Sequence, residues 1–201
     1  AINSERRNPG YLGPIALSEH IVATTDFERA CHADTVLCVT PAQSLSTLLQ
    51  KLKPHVSGIQ HLVLCAKGID RNSGQLLHEV AQSVVSSEQI AALSGPSFAT
   101  DVARGLPTAV SLAAHSRQAA ERLSTLLARP RFRIYATDDL IGVEIGGALK
   151  NVLSLAVGIA RGLELGASAE AALIARGFAE LNLVALAIGA RAETLAGLSG
   201  L

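Results

Sequence analysis

The chain has 201 residues, 49% of them apolar, and seventeen basic residues balance seventeen acidic ones. That length can bury a substantial core, while a formal charge of zero excludes the electrostatic footprint that holds a protein on nucleic acid or anionic lipid. No uninterrupted apolar run reaches the ~18 residues that a bilayer requires, so neither nucleic acid nor a membrane span is expected, and any anionic ligand must be bound locally.

In chain order, the first strand-like run is "TVLCVT" at 35–40, followed by helical spacing through "SLSTLLQKLKPHV". "HLVLCA" at 61–66 leads into a second helical stretch, "GQLLHEVAQSVV", and "IAALS" at 90–94 follows. The connection after it, "GPSFATDVARGLP", has room for only two or three helical turns. "TAVSLAA" at 108–114 precedes "SRQAAERLSTLLAR", and "FRIYAT" at 132–137 closes the series. Strands hydrophobic on both faces that alternate with helices predict a doubly wound, Rossmann-type parallel sheet over residues 1–138. After "YATDD" the strand signal stops. Helical periodicity over 142–162 and about 169–189 predicts an all-α domain over 139–201. The stretch "GVEIGGALKNVLSLAVGIARG" is apolar almost all round and is expected to be buried along its length, with only Glu144, Lys150 and Arg161 charged.

Open parallel sheets bind ligands outside the carboxyl ends of their strands, which gathers Pro41, Lys67, Gly95, Pro96 and Ser97 on one expected rim. Taken singly, Gly, Ser and Pro after a strand are ordinary turn formers, and a lysine there is commonly a solvated strand end. The chain has four lysines, however, and Lys51 and Lys53 lie on a polar helix end, which leaves Lys67 and Lys150. A mid-helix ammonium in apolar surroundings either snorkels to solvent or is retained for a purpose, because burying an unpaired charge is costly. Retained, such a group can give up and retake a proton near neutrality, as reduction of a carbonyl to an alcohol requires. Gly146, one turn before Lys150, would leave room for a ligand, and Asn151 offers a neutral donor and acceptor.

Other chemistries find less support. His20, His32, His55, His61, His78 and His115 form no H-x-x-x-H pair and have no carboxylate at useful spacing, so no metal is expected. "SGPS" lacks the G-x-S-x-G of a nucleophile elbow. Cys31, Cys38 and Cys65 are odd in number and two lie in apolar strands, as expected for reduced core thiols.

Taken together, "NPGYLGPIALSEHIVATTDF", "VTPAQSL", "CAKGI", "LSGPSFATDVARGLPTAV", "RFRIYATDDLIGVEIGGALKNV" and "AETLAGLSGL" resemble the bacterial NAD(P)-dependent sn-glycerol-3-phosphate dehydrogenases. "SGPSFA", "GLPTA" and "GVEIGGALKN" in that order are the specific part, and the resemblance spans essentially the whole chain. It implies an oxidoreductase that interconverts dihydroxyacetone phosphate and sn-glycerol 3-phosphate with NAD or NADP. It also implies a cytoplasmic homodimer that supplies glycerophospholipid synthesis. By the same resemblance Lys150 is the catalytic proton donor and acceptor. Lys67, Gly95, Ser97, Lys150 and Asn151 are then substrate contacts, and Lys67 and Ala99 cofactor contacts, joined by Pro41 on the same rim.

The chain departs from the family pattern at both ends. No G-x-G occurs in it, so the family's glycine-rich loop is expected before Ala1, and the aspartate and phosphate-gripping arginine after Leu201. With no methionine either, the 201 residues are expected to be an internal segment, inactive alone. "YLGPI" stands where the family has "YLPGI", and Ser168 and Glu170 stand where it has Asn and Arg. Two alternatives stay open from the residues: a related lysine-dependent hydroxyacid dehydrogenase, and a non-catalytic, truncated cofactor-binding module.

Overall fold

A computed structural model describes residues 2–199. Short helices α1 (Ile2–Glu5), α2 (Pro9–Leu12) and α3 (Phe27–Cys31) precede a five-stranded sheet. Its strands are β1 (Thr35–Cys38), β2 (His61–Leu64), β3 (Ile90–Ser94), β4 (Thr108–Ala114) and β5 (Phe132–Thr137), in the spatial order of the sequence. Helices α4 (Leu45–Leu52), α5 (Leu77–Ala81), α6 (Ala99–Ala103) and α7 (Arg117–Leu127) lie on the connections, and α8 (Leu140–Gly162), α9 (Ala167–Ala187) and α10 (Ala192–Leu195) follow the last strand. Leu62, Val63, Val110 and Leu112 have no exposed surface, so helices cover both faces of the sheet and the near-continuous apolar runs are explained.

The sheet is mixed, which corrects the all-parallel expectation. β1, β2 and β3 run parallel, and β4 is parallel to β5, but β3 pairs with β4 antiparallel through Ala91–Ala114 to Ser94–Ser111. A parallel return needs a crossover long enough to climb the sheet through a covering helix. Residues 95–107 spend their length on the "GPSF" turn and the five-residue α6, so the chain comes back from the same rim.

That reversal aims the next helix. Because β4 and β5 run against β3, β5 ends at the rim opposite the carboxyl ends of β1–β3, and α8 must climb back across the sheet. Asp139 starts it, accepting from Gly142 N (2.8 Å) and from Arg191 N (2.9 Å), so one buried carboxylate caps α8 and ties it to the start of α10. A Cβ at Gly142 would collide with that carboxylate. Leu140 and Val143 then pack on Ala92 and Ala113 of the sheet, while Ile145 meets Ala185, Ala190 and Leu195. At 1.5 Å per residue the helix rises about 16 Å from Asp139 to Lys150, enough to carry the lysine to the other rim.

The expected burial of α8 along its whole length holds for its first half and, in the second, for Ala160. Gly142 through Gly147 are buried, whereas Val152, Leu155, Ile159 and Leu163 are each more than 60% exposed. By length and composition alone α8 could cross a bilayer. Its first turns pack on the sheet and hold a buried Glu144.

Candidate active site

Three chain segments meet at the carboxyl rim of β2 and β3. Lys67 lies three residues beyond β2, and its Nζ donates to the Gly95 carbonyl just beyond β3 at 3.0 Å. Gly95 has φ +155°, and a Cβ there would lie 2.9 Å from Val110 Cα, so only glycine lets the chain leave β3 against β4 at this point. From the other side comes α8. A Cβ at Gly147 would sit 2.5 Å from Ser94 Oγ and 3.4 Å from Lys67 Cγ, so the missing side chain lets the helix lie directly on the strand end and on the lysine stem. Lys150, three residues further on, is half-buried.

The two lysines feel one another. Lys67 is exposed overall, yet partial burial of its ammonium, and then the nearby charge of Lys150, hold its pKa below the ordinary lysine value. Ser94 Oγ is buried beside them and has no hydrogen-bond partner among the described residues. A cleft of about 680 Å³ opens along this rim, and its polar side chains are Lys67, Ser94, Ser97 and Ser18 among largely apolar walls that include Leu37, Val39 and Leu93.

Not every residue expected at the site reaches it. Ser97 and Ala99 line the cleft, with Ser97 Oγ donating weakly to the Gly95 carbonyl at 3.5 Å. Pro41 is on the same rim but exposed, at the start of a short 3₁₀ turn, and does not line the cleft. Asn151 follows Lys150 on α8 and is exposed; neither of them lines the cleft, nor does Gly95. The close approach of α8 to Ser94 and Lys67 is made at Gly147, next to the Gly146 expected to leave room for a ligand.

The histidines need a second correction. His78 does have a carboxylate partner, Glu144, 66 residues away: its Nδ1 lies 2.6 Å from Oε2 and its backbone N–H donates to Oε1 at 3.0 Å. Burial alone would lower the imidazole pKa, but the hydrogen bond and charge of Glu144, with Glu79, outweigh it and hold the value above normal. Burial pushes the Glu144 carboxyl up, partly offset by His78. No local spacing could reveal a pair joined only by packing α5 on α8. The cysteines are unpaired thiols, and burial pushes Cys38 up to about 11 and Cys65 to about 12. Among the described residues no three His, Cys, Asp or Glu side chains gather as metal ligands.

A covered sheet of Rossmann type, with its ligand rim met by a following helix, defines a dinucleotide-fold α/β protein. The family described as NAD-dependent glycerol-3-phosphate dehydrogenase matches its N-terminal part over residues 1–120 and its C-terminal part over residues 139–201, and the chain belongs to that family. It is 54% identical over its whole length to a glycerol-3-phosphate dehydrogenase [NAD(P)+] of Brucella canis and 53% identical over 97% of its length to one of Mesorhizobium japonicum. It spans 62% and 57% of those two relatives. Among solved structures, the glycerol-3-phosphate dehydrogenase of Coxiella burnetii superposes with a TM-score of 0.91 at 38% identity, covering 99% of this chain and 61% of that one. The yeast enzyme gives 0.83 at 29% identity, over 99% of this chain and 60% of its own.

Proposed function

We propose that the protein to which this chain belongs interconverts dihydroxyacetone phosphate and sn-glycerol 3-phosphate with NAD or NADP, and that Lys150 is its proton donor and acceptor. The observation that carries this reading is that Lys67, which lines the cleft and is held on the Gly95 carbonyl, stands near enough to Lys150 to feel its charge, the three residues coming from three parts of the chain. An unpartnered buried hydroxyl, Ser94, and a largely apolar wall fit a flat ring with a polar edge, as a nicotinamide is. Lys67, Ser97 and Ala99 would border it. When bound, the nicotinamide supplies or accepts the hydride.

The rest of the chemistry falls to side chains of this chain. As a ketone is reduced its oxygen becomes an alkoxide, and an ammonium beside it both stabilises the negative charge and delivers the proton. In reverse the neutral amine takes that proton back. Lys67, its head fixed on the Gly95 carbonyl, presents a second positive charge suited to an anionic substrate. Residues 1–138 would form the nucleotide domain and 139–201 the start of the substrate domain. A cytoplasmic homodimer that feeds glycerophospholipid synthesis completes the reading, as the sequence resemblance implies.

Lys150→Met in the full-length enzyme tests it. Most of the side-chain volume stays and the titratable amine goes, so kcat is expected to fall by roughly 10²- to 10⁴-fold, with cofactor affinity nearly unchanged. Retention of more than about a tenth of wild-type kcat would sink the mechanism, because that loss lies below a general acid's usual contribution. Equal turnover of non-phosphorylated keto acids would replace the substrate with a hydroxy acid.

A further inference from the structure

Glu144 lies on α8 six residues before Lys150, is 5% exposed, and has buried Val143 and Ile145 as its neighbours. A buried carboxylate is costly unless fully bonded, and an apolar side chain of similar size would pack α5 on α8 as well. The pair is therefore weak evidence for stability. What it adds over an apolar contact is direction. Glu144 binds one residue twice, through the His78 ring and through His78 N–H, a donor in the first turn of α5. Two bonds to one residue fix where that turn sits both along and across α8.

Between Lys67 and α5 there is only the loop 68–76, and α8 holds this loop at both ends. Lys67 Cγ lies against Gly147, and Ile69 and Leu76 pack against the buried cluster to which α8 contributes Ile145. His78 lies on Glu144, three residues or about one turn from Gly147. On the outer side, Gln43 donates to the Ile69 carbonyl (2.8 Å) and accepts from Arg71 N (3.0 Å).

We propose that the Glu144–His78 pair is a positioning clasp for Lys67: it seats the loop after β2 on α8 and so sets where the Lys67 ammonium stands relative to Lys150. This rests on the reading above, in which Lys67 contacts substrate.

The test uses the full-length enzyme. Glu144→Leu removes both bonds. It is expected to lower kcat/KM for dihydroxyacetone phosphate by about 10- to 100-fold, and to weaken calorimetric binding of glycerol 3-phosphate, as small displacements of binding groups do. Glu144→Gln, which keeps an acceptor for His78 N–H and an amide for the ring, should recover most of both. A mutant cycle separates positioning from mere support. In a Lys67→Met background the clasp has nothing left to position, so Glu144→Leu should cost less than about 2-fold. If Glu144→Leu does not fold, His78→Ala takes its place in the cycle. His78→Asn, whose amide nitrogen stands where Nδ1 does, should then restore activity. An equal loss in both backgrounds, or no loss in either, overturns the clasp and leaves the role of Lys67 standing. A Lys67→Met enzyme with wild-type kcat/KM and binding overturns that role, and the clasp with it.

Discussion

The two halves of α8 have nearly the same apolar character and opposite fates. Ile145, in the first half, is 2% exposed; Ile159, four turns later on the same helix, is 64% exposed. The first half is rich in glycine, and the missing side chains let it lie on Asp139, Ser94 and Lys67, with Glu144 bonded in its midst. The second half meets mainly α9, where Leu153 fills the space at Gly177; Ala160 is buried, while Val152, Leu155 and Ile159 face outward. Apolar composition gives a helix the capacity to be buried. Which turns use that capacity depends on whether another element lies within reach.

The largest expected effect breaks the buried half. Ile145→Ala in the 201-residue chain should lower unfolding free energy by about 2–5 kcal/mol, measured by urea titration, since it empties a site between α8, α9 and α10. Gly142→Ala should cost roughly 2–4 kcal/mol, because the added methyl drives Asp139 from its two backbone bonds. A smaller effect sharpens the role of Glu144. Folding raises the pKa values of both His78 and Glu144, so the native state binds more protons than the unfolded one and stability falls as pH rises. The fall should begin in the ordinary carboxylate range and end once pH has passed the raised imidazole value. Wild type should lose more of its melting temperature from pH 6 to 8 than His78→Asn does, and equal losses would contradict the pairing. Smallest of all, Ile159→Ala should change stability by less than about 0.5 kcal/mol in this chain. The same substitution costing as much as Ile145→Ala in a longer chain would show that the second half has found a cover.

Strand positions were legible because a strand buried on both faces must be apolar throughout, and "HLVLCA" and "TAVSLAA" have few other uses. The end of the strand series at Asp138–Asp139 and the helical periodicity from 142 were legible, whereas the cap that Asp139 gives α8 was found only in the structure. Lys67, Gly95 and Lys150 stood out through their chemistry and the rule that ligands gather at strand ends. Gly147 was not legible as the point where α8 lies on β3, since sequence spacing gives the helix but not its rotation about its own axis. Glu144 stood out as a charge in an apolar helix, but its pairing with His78 carried no signal, the two being partners only in the packed structure.

Local interactions, then, determined the elements of this protein: which segments are strands or helices, where α8 begins, and which amines sit at element ends. They depend on neighbours a few residues away, and the sequence holds those in full. The direction of β4 was decided only in the tertiary structure, because it depends on whether residues 95–107 can cross the sheet or must turn back beside β3. From that one reversal follow the opposite rim at which β5 ends, the climb of α8 and the arrival of Lys150 beside Lys67. Contacts between segments far apart in the chain are set by path and packing, which no single stretch of residues contains.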